Sequence, residues 1–77
     1  MAVLKNKVRL YRFRSNEMTQ QQLADLVSVS RQTVHAIEKG KFNPSIKLAL
    51  LIAGIFKVAV DELFWLEDDV SSAEDLN

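Results

Sequence analysis

Arg31, Gln32, His35 and Lys39 fall within nine residues of each other, inside the stretch TQQQLADLVSVSRQTVHAIEKGK that begins at Thr19. These types and spacings suit reversible hydrogen bonding better than covalent chemistry. A glutamine amide donates and accepts at once, a guanidinium forks onto two acceptors, and an imidazole offers one donor and one acceptor. Catalysis finds no support. The chain has one histidine and no cysteine, and its carboxylates are scattered, so no nucleophile–base pair or metal cluster can be named. No cofactor is expected.

These side chains need an element that aligns them, and the sequence supplies one. Ser30 can cap a helix over Arg31 to Lys39, which Gly40 ends. On that helix Val34 and Ile37 share one face. Gln32, His35, Ala36 and Lys39 share the other, with Arg31 at its edge and Thr33 beside it. The outward face thus offers an amide, a guanidinium, an imidazole, a methyl and an ammonium, a set that matches base edges in a DNA major groove. Any one of these residues is ordinary on a solvated helix. The neighbouring elements tip the reading.

Upstream, Thr19 and Gln22 form a T-x-x-Q capping box for a helix whose inner side carries Leu23, Ala24 and Val27. A first helix is expected over about Leu4 to Arg14, with Leu4, Val8 and Tyr11 as its stripe, while Leu10 and Phe13 lie off it. Downstream, Pro44-Ser45 opens a fourth helix over Ile46 to Phe56. It is apolar nearly all round and is expected to be central to the core. A short fifth helix is expected over Val60 to Leu66. The fold class is therefore all-α: five helices, the second and third forming a helix-turn-helix. Residues 1–66 make the DNA-binding domain, and 67–77 an acidic tail with too little apolar content to pack.

Charge is segregated along the chain. Through Leu66 ten basic side chains face five acids, a net +5; from Glu67 onward five acids and no base give −5. A basic body with an acidic end suits a nucleic-acid partner, and equally a solvated surface with a tail. The first residues, MAVLKNKV, lack the apolar run of a signal peptide, and no stretch reaches the roughly 20 apolar residues of a membrane span. A soluble cytoplasmic protein, associated with the nucleoid through DNA, is expected. A domain of this size buries only about 60% of its unfolded surface, so pairing with a second copy would help it. Leu63, Phe64, Trp65 and Leu66 are the expected dimer surface, because four consecutive apolar residues cannot all face one core from a single short helix.

The segment TQQQLADLVSVSRQTVHAIEKGKFNPSI, resuming as LALLIAGIFKVAVDELF, resembles the helix-turn-helix of the phage repressor and Cro superfamily, in its short prokaryotic branch. The likeness covers about residues 7 to 66. It implies base contacts from Arg31, Gln32 and His35, with Thr33 and Ala36 beside them. It implies phosphate contacts from Gln20, Ser30, Lys39, Lys41 and Asn43, and a structural ion pair between Arg12 and Glu38. Three departures bear on stability: Ser28 and Lys57 stand where the family has glycine, Ala59 replaces a serine cap, and the turn SNEMT is one residue longer than usual, with Asn16 its expected left-handed residue. The resemblance implies a homodimeric transcriptional regulator, most often a repressor, reading an inverted repeat in double-stranded DNA. The competing reading is a protein-interaction module, such as an antitoxin or assembly partner, on the same fold. A non-specific nucleic-acid coater ranks third, because Gln32 and His35 suit base reading better than a lysine-rich face would.

Overall fold

A computed structural model describes residues 2–68. The chain runs β1 (Ala2–Asn6), α1 (Val8–Arg14), α2 (Gln20–Val27), α3 (Arg31–Glu38), α4 (Ile46–Phe56), α5 (Val60–Leu63) and β2 (Phe64–Asp68). The all-α expectation is thus corrected to five helices with a two-stranded sheet. β1 and β2 pair antiparallel, in a register that sets Asn6 opposite Phe64 and Ala2 opposite Asp68.

Both ends of the helical region differ from expectation for one reason. Leu4 to Asn6 is a strand, and the first helix starts at Val8, where the Asn6 Oδ1 accepts from the Val8 N–H at 3.1 Å. The Asn6 amide also donates to the Ile37 carbonyl at 2.9 Å, tying the end of β1 to α3. At the other end α5 stops at Leu63, and Phe64 to Leu66 continue as β2. Extended backbone lets Phe64 turn inward and Trp65 to the opposite side, which resolves the apolar run that one helix could not bury. Glu67 and Asp68 belong to β2; the rest of the expected tail lies outside the described residues.

The helix boundaries follow from their caps. Thr19 Oγ1 accepts from the Gln22 N–H at 3.0 Å and the Gln22 side chain accepts from the Thr19 N–H at 2.8 Å, completing the capping box. Ser30 and Ser45 each accept from the backbone N–H three residues on, at 3.1 Å. Helices α2, α3 and α4 all end in the same closure. Each closure holds a left-handed residue, the C-cap itself in α2 and α4 and the residue after the cap in α3, and the next N–H reaches back five residues: Val29 to Ala24, Lys41 to Ala36, Val58 to Ala53. Only the α3 closure uses glycine, Gly40 at φ 74°. Ser28 (61°) and Lys57 (58°) hold the same conformation with a side chain present, and Asn16 (61°) and Glu17 (55°) carry the longer turn after α1.

The core is built from Val8 of α1, Leu23, Ala24 and Val27 of α2, Val34 and Ile37 of α3, one face of α4, and Leu63 and Phe64. Tyr11 stacks on Phe56 with ring centroids 5.8 Å apart, joining α1 to the end of α4. Helix α4 buries less than expected: Leu48, Ala49, Ile52 and Ala53 face inward, but Ile46 is 73% and Leu50 54% exposed. Leu10 and Phe13 are also exposed, so they do not widen the buried face of α1.

Candidate nucleic-acid interface

Helix α3 is held by its apolar side. Val34 and Ile37 are each 1% exposed, packed against the core that α2 and α4 share. Burying two such side chains stabilises by roughly 1.5–3 kcal/mol each, enough to fix which way the helix faces. Arg31, Gln32, His35 and Lys39 consequently point to solvent, and Ala36 is half-buried among them. Thr33 is half-buried too, its hydroxyl 3.0 Å from that of Ser30, so it belongs to the cap as much as to the outer face. Ser30, Lys41 and Asn43 are exposed at the two ends of α3, and Lys41 is anchored through its N–H to the Ala36 carbonyl at 2.9 Å.

Beneath this face lies a buried polar assembly. Arg12 reaches from α1 to Glu38 at the end of α3, with Nε donating to Oε2 at 2.6 Å and Nη2 to Oε1 at 3.0 Å. The two side chains are 10% and 6% exposed. Nη1 donates to the Met18 carbonyl at 2.7 Å, which also secures the turn before α2. Such a fork suits a carboxylate geometrically and neutralises both charges where water cannot. Among the described residues no buried side-chain nitrogen or oxygen lacks a partner.

Gln20 completes the assembly from α2. Its amide nitrogen donates to Glu38 Oε1 at 3.1 Å and lies 3.4 Å from His35 Nδ1. The residue expected to contact phosphate is therefore engaged inside the protein by its side chain. Arg9, on α1, stands in no motif of the sequence. It lines one groove with Gln20, Arg31, His35 and Lys39, its guanidinium 5.5 Å from the centre of the Phe13 ring. With Arg12 and Glu38 cancelling, Arg9, Arg31 and Lys39 leave this side cationic. A basic residue on α1 gives no local sign of facing the same way as α3, so only the packing reveals it.

The expected dimer residues divide. Leu63 and Phe64 are 0% and 7% exposed and belong to the core of a single chain, which corrects their assignment to a surface. Trp65 is half-buried; Lys7 Nζ lies 5.5 Å from its ring centre, and its indole N–H donates to Glu67. Leu66 is 68% exposed. Among the described residues no group of three or more His, Cys, Asp or Glu side chains could hold a metal, and no helix is long and apolar enough to cross a membrane.

Comparison with known proteins agrees with this geometry. A helix-turn-helix family model matches residues 9–63. An uncharacterized HTH-type transcriptional regulator of Methanocaldococcus jannaschii is 52% identical over 66 residues, covering 86% of this chain and 98% of its own. The uncharacterized HTH-type transcriptional regulator YgzD of Bacillus subtilis is 46% identical with the same coverage, and one from Archaeoglobus fulgidus is 42% identical over 64 residues, covering 82% of this chain and 91% of its own.

Proposed function

The chain belongs to the helix-turn-helix family of DNA-binding transcriptional regulators, in its short prokaryotic Cro/C1-type branch, and from that premise we propose that it represses transcription as a homodimer reading an inverted repeat. Helices α2 and α3 form the helix-turn-helix, and α3 enters the major groove. The observation that carries the reading is the outer face of α3. Arg31, Gln32 and His35 stand exposed on a helix whose opposite face is fixed in the core, with Arg9, Lys39 and Lys41 as cations beside it. Arg31 forks onto guanine, Gln32 pairs with adenine, and the Ala36 methyl meets thymine. Ser30, Lys39, Lys41 and Asn43 hold phosphates and set the register. Repression follows by occlusion, since a protein seated in the groove excludes others from the same stretch.

The second copy docks on the outer side of α4. Ile46, Leu50 and Gly54 repeat at i, i+4 and i+8 there with Leu51 alongside, and a Cβ added at Gly54 would meet nothing within 4 Å. An exposed apolar stripe of this kind on so small a domain is the surface a two-fold partner would cover.

Two substitutions test base reading. Gln32→Ala weakens binding to the selected site by about 1–3 kcal/mol and leaves random DNA nearly unchanged. Lys41→Ala weakens both and reduces the salt slope by about one. Equal losses on both DNAs for Gln32→Ala would overturn the assignment.

A further inference from the structure

We infer that Gln20 is a positioning residue for base selection, holding the His35 ring so that its Nε2–H faces the DNA and His35 selects a hydrogen-bond acceptor on the base edge. The inference rests on the DNA-reading function proposed above. It begins with Glu38, whose carboxylate is buried and can only accept. The group of Gln20 that meets Oε1 at 3.1 Å must therefore be the amide nitrogen and not its oxygen. That nitrogen has two hydrogens. One serves Glu38, and the other faces His35 Nδ1 at 3.4 Å, the long end of a hydrogen bond.

Two consequences follow from this geometry. With both hydrogens engaged, the only other polar atom of the Gln20 side chain is Oε1, an acceptor, which cannot bond a phosphate oxygen. The side chain is thus unavailable as a phosphate donor while the assembly is intact. In the neutral ring, an Nδ1 that accepts leaves the proton on Nε2. His35 is exposed, so that N–H is the group it presents outward. In the major groove a lone donor is satisfied by purine N7, guanine O6 or thymine O4, and it leaves the amino hydrogens of cytosine N4 and adenine N6 unpaired. The buried ion pair supplies the rigidity. Arg12 fixes Glu38 with two bonds, Glu38 fixes Gln20, and Gln20 orients a ring that the sequence alone would leave free to turn.

The test is selection from random-sequence duplex DNA using the wild type, Gln20→Met, His35→Ala and the double variant. Methionine matches glutamine in length and removes both donors; thermal melting checks that each variant folds. The wild type is expected to disfavour cytosine, which offers no acceptor in the major groove, at one position of each half-site by roughly five-fold or more. Gln20→Met is expected to flatten that position alone, and to do nothing further once His35 is alanine. A uniform loss of affinity in Gln20→Met with the preference intact would overturn the inference and return Gln20 to a phosphate role. So would a change of preference that persists without His35. A wild type that enriches no sequence would instead overturn the DNA-reading function itself. A readout free of DNA comes from the 15N resonance of His35 Nδ1. It is expected to move in Gln20→Met while the Arg12 Nε–H signal, bonded to the other Glu38 oxygen, stays, and an unmoved Nδ1 resonance overturns the positioning role.

Discussion

Replacing Glu38 by alanine should be among the most damaging single changes in this protein. The variant strands the Arg12 guanidinium, whose side chain is only 10% exposed. It removes the bonds at 2.6 and 3.0 Å and the acceptor of Gln20 at 3.1 Å, leaving only the 2.7 Å bond to the Met18 carbonyl. Removing one partner of a buried pair costs about 3–5 kcal/mol, because the surviving charge is neither solvated nor compensated. A domain of this size has on the order of 5 kcal/mol in total, so the variant sits at the edge of unfolding. The control is the double variant Arg12→Met, Glu38→Leu, which removes both charges while keeping volume. It should recover part of the loss but not all. The Met18 carbonyl loses its donor, and leaving that acceptor unpaired costs about 1–3 kcal/mol. Urea unfolding followed by circular dichroism measures all three proteins. A loss below about 1 kcal/mol for Glu38→Ala would show that breaking the pair leaves no buried, uncompensated charge, as would a double variant no more stable than the single.

Restoring helix-end chemistry should stabilise the fold without touching the DNA face. Ser28→Gly and Lys57→Gly relieve left-handed side chains at φ 61° and 58°, and each should gain about 0.5–1 kcal/mol after the entropy glycine adds to the unfolded chain. Ala59→Ser supplies the side-chain cap that α5 lacks, for about 1 kcal/mol more. Thermal melting should show a rise of roughly 4–8 °C per kcal/mol for each, with binding to DNA unchanged. Leu50→Lys charges the outer stripe of α4 and should convert a dimer to monomers in sedimentation while the fold persists; a variant that stays dimeric would remove α4 from the interface.

Local chemistry was readable where it depends on neighbours in sequence. The capping box at Thr19 and Gln22, the serines at positions 30 and 45, and the opposed faces of α3 all stand where spacing placed them, because each is decided within one helical turn. The strands were not readable. Leu4 continues the spacing of Val8 and Tyr11, so β1 reads as the start of a helix, and its partner Leu66 lies at the far end of the described chain. The run Leu63 to Leu66 announced a conflict but not its resolution, since a short apolar stretch does not distinguish helix from strand. Gln20 shows the same limit at the site. Its place at the start of α2 suggests an anion contact, and only the approach of Glu38 and His35 from α3 shows what its amide holds.

Base reading by the outer face of α3 is put to the sharpest test by selecting the wild-type protein against random duplex DNA. The expected outcome is enrichment of an inverted repeat whose half-site centres lie about 10 base pairs apart, one turn of the double helix. Retention of DNA with no enriched sequence would contradict it, leaving the cations around α3 as a non-specific surface.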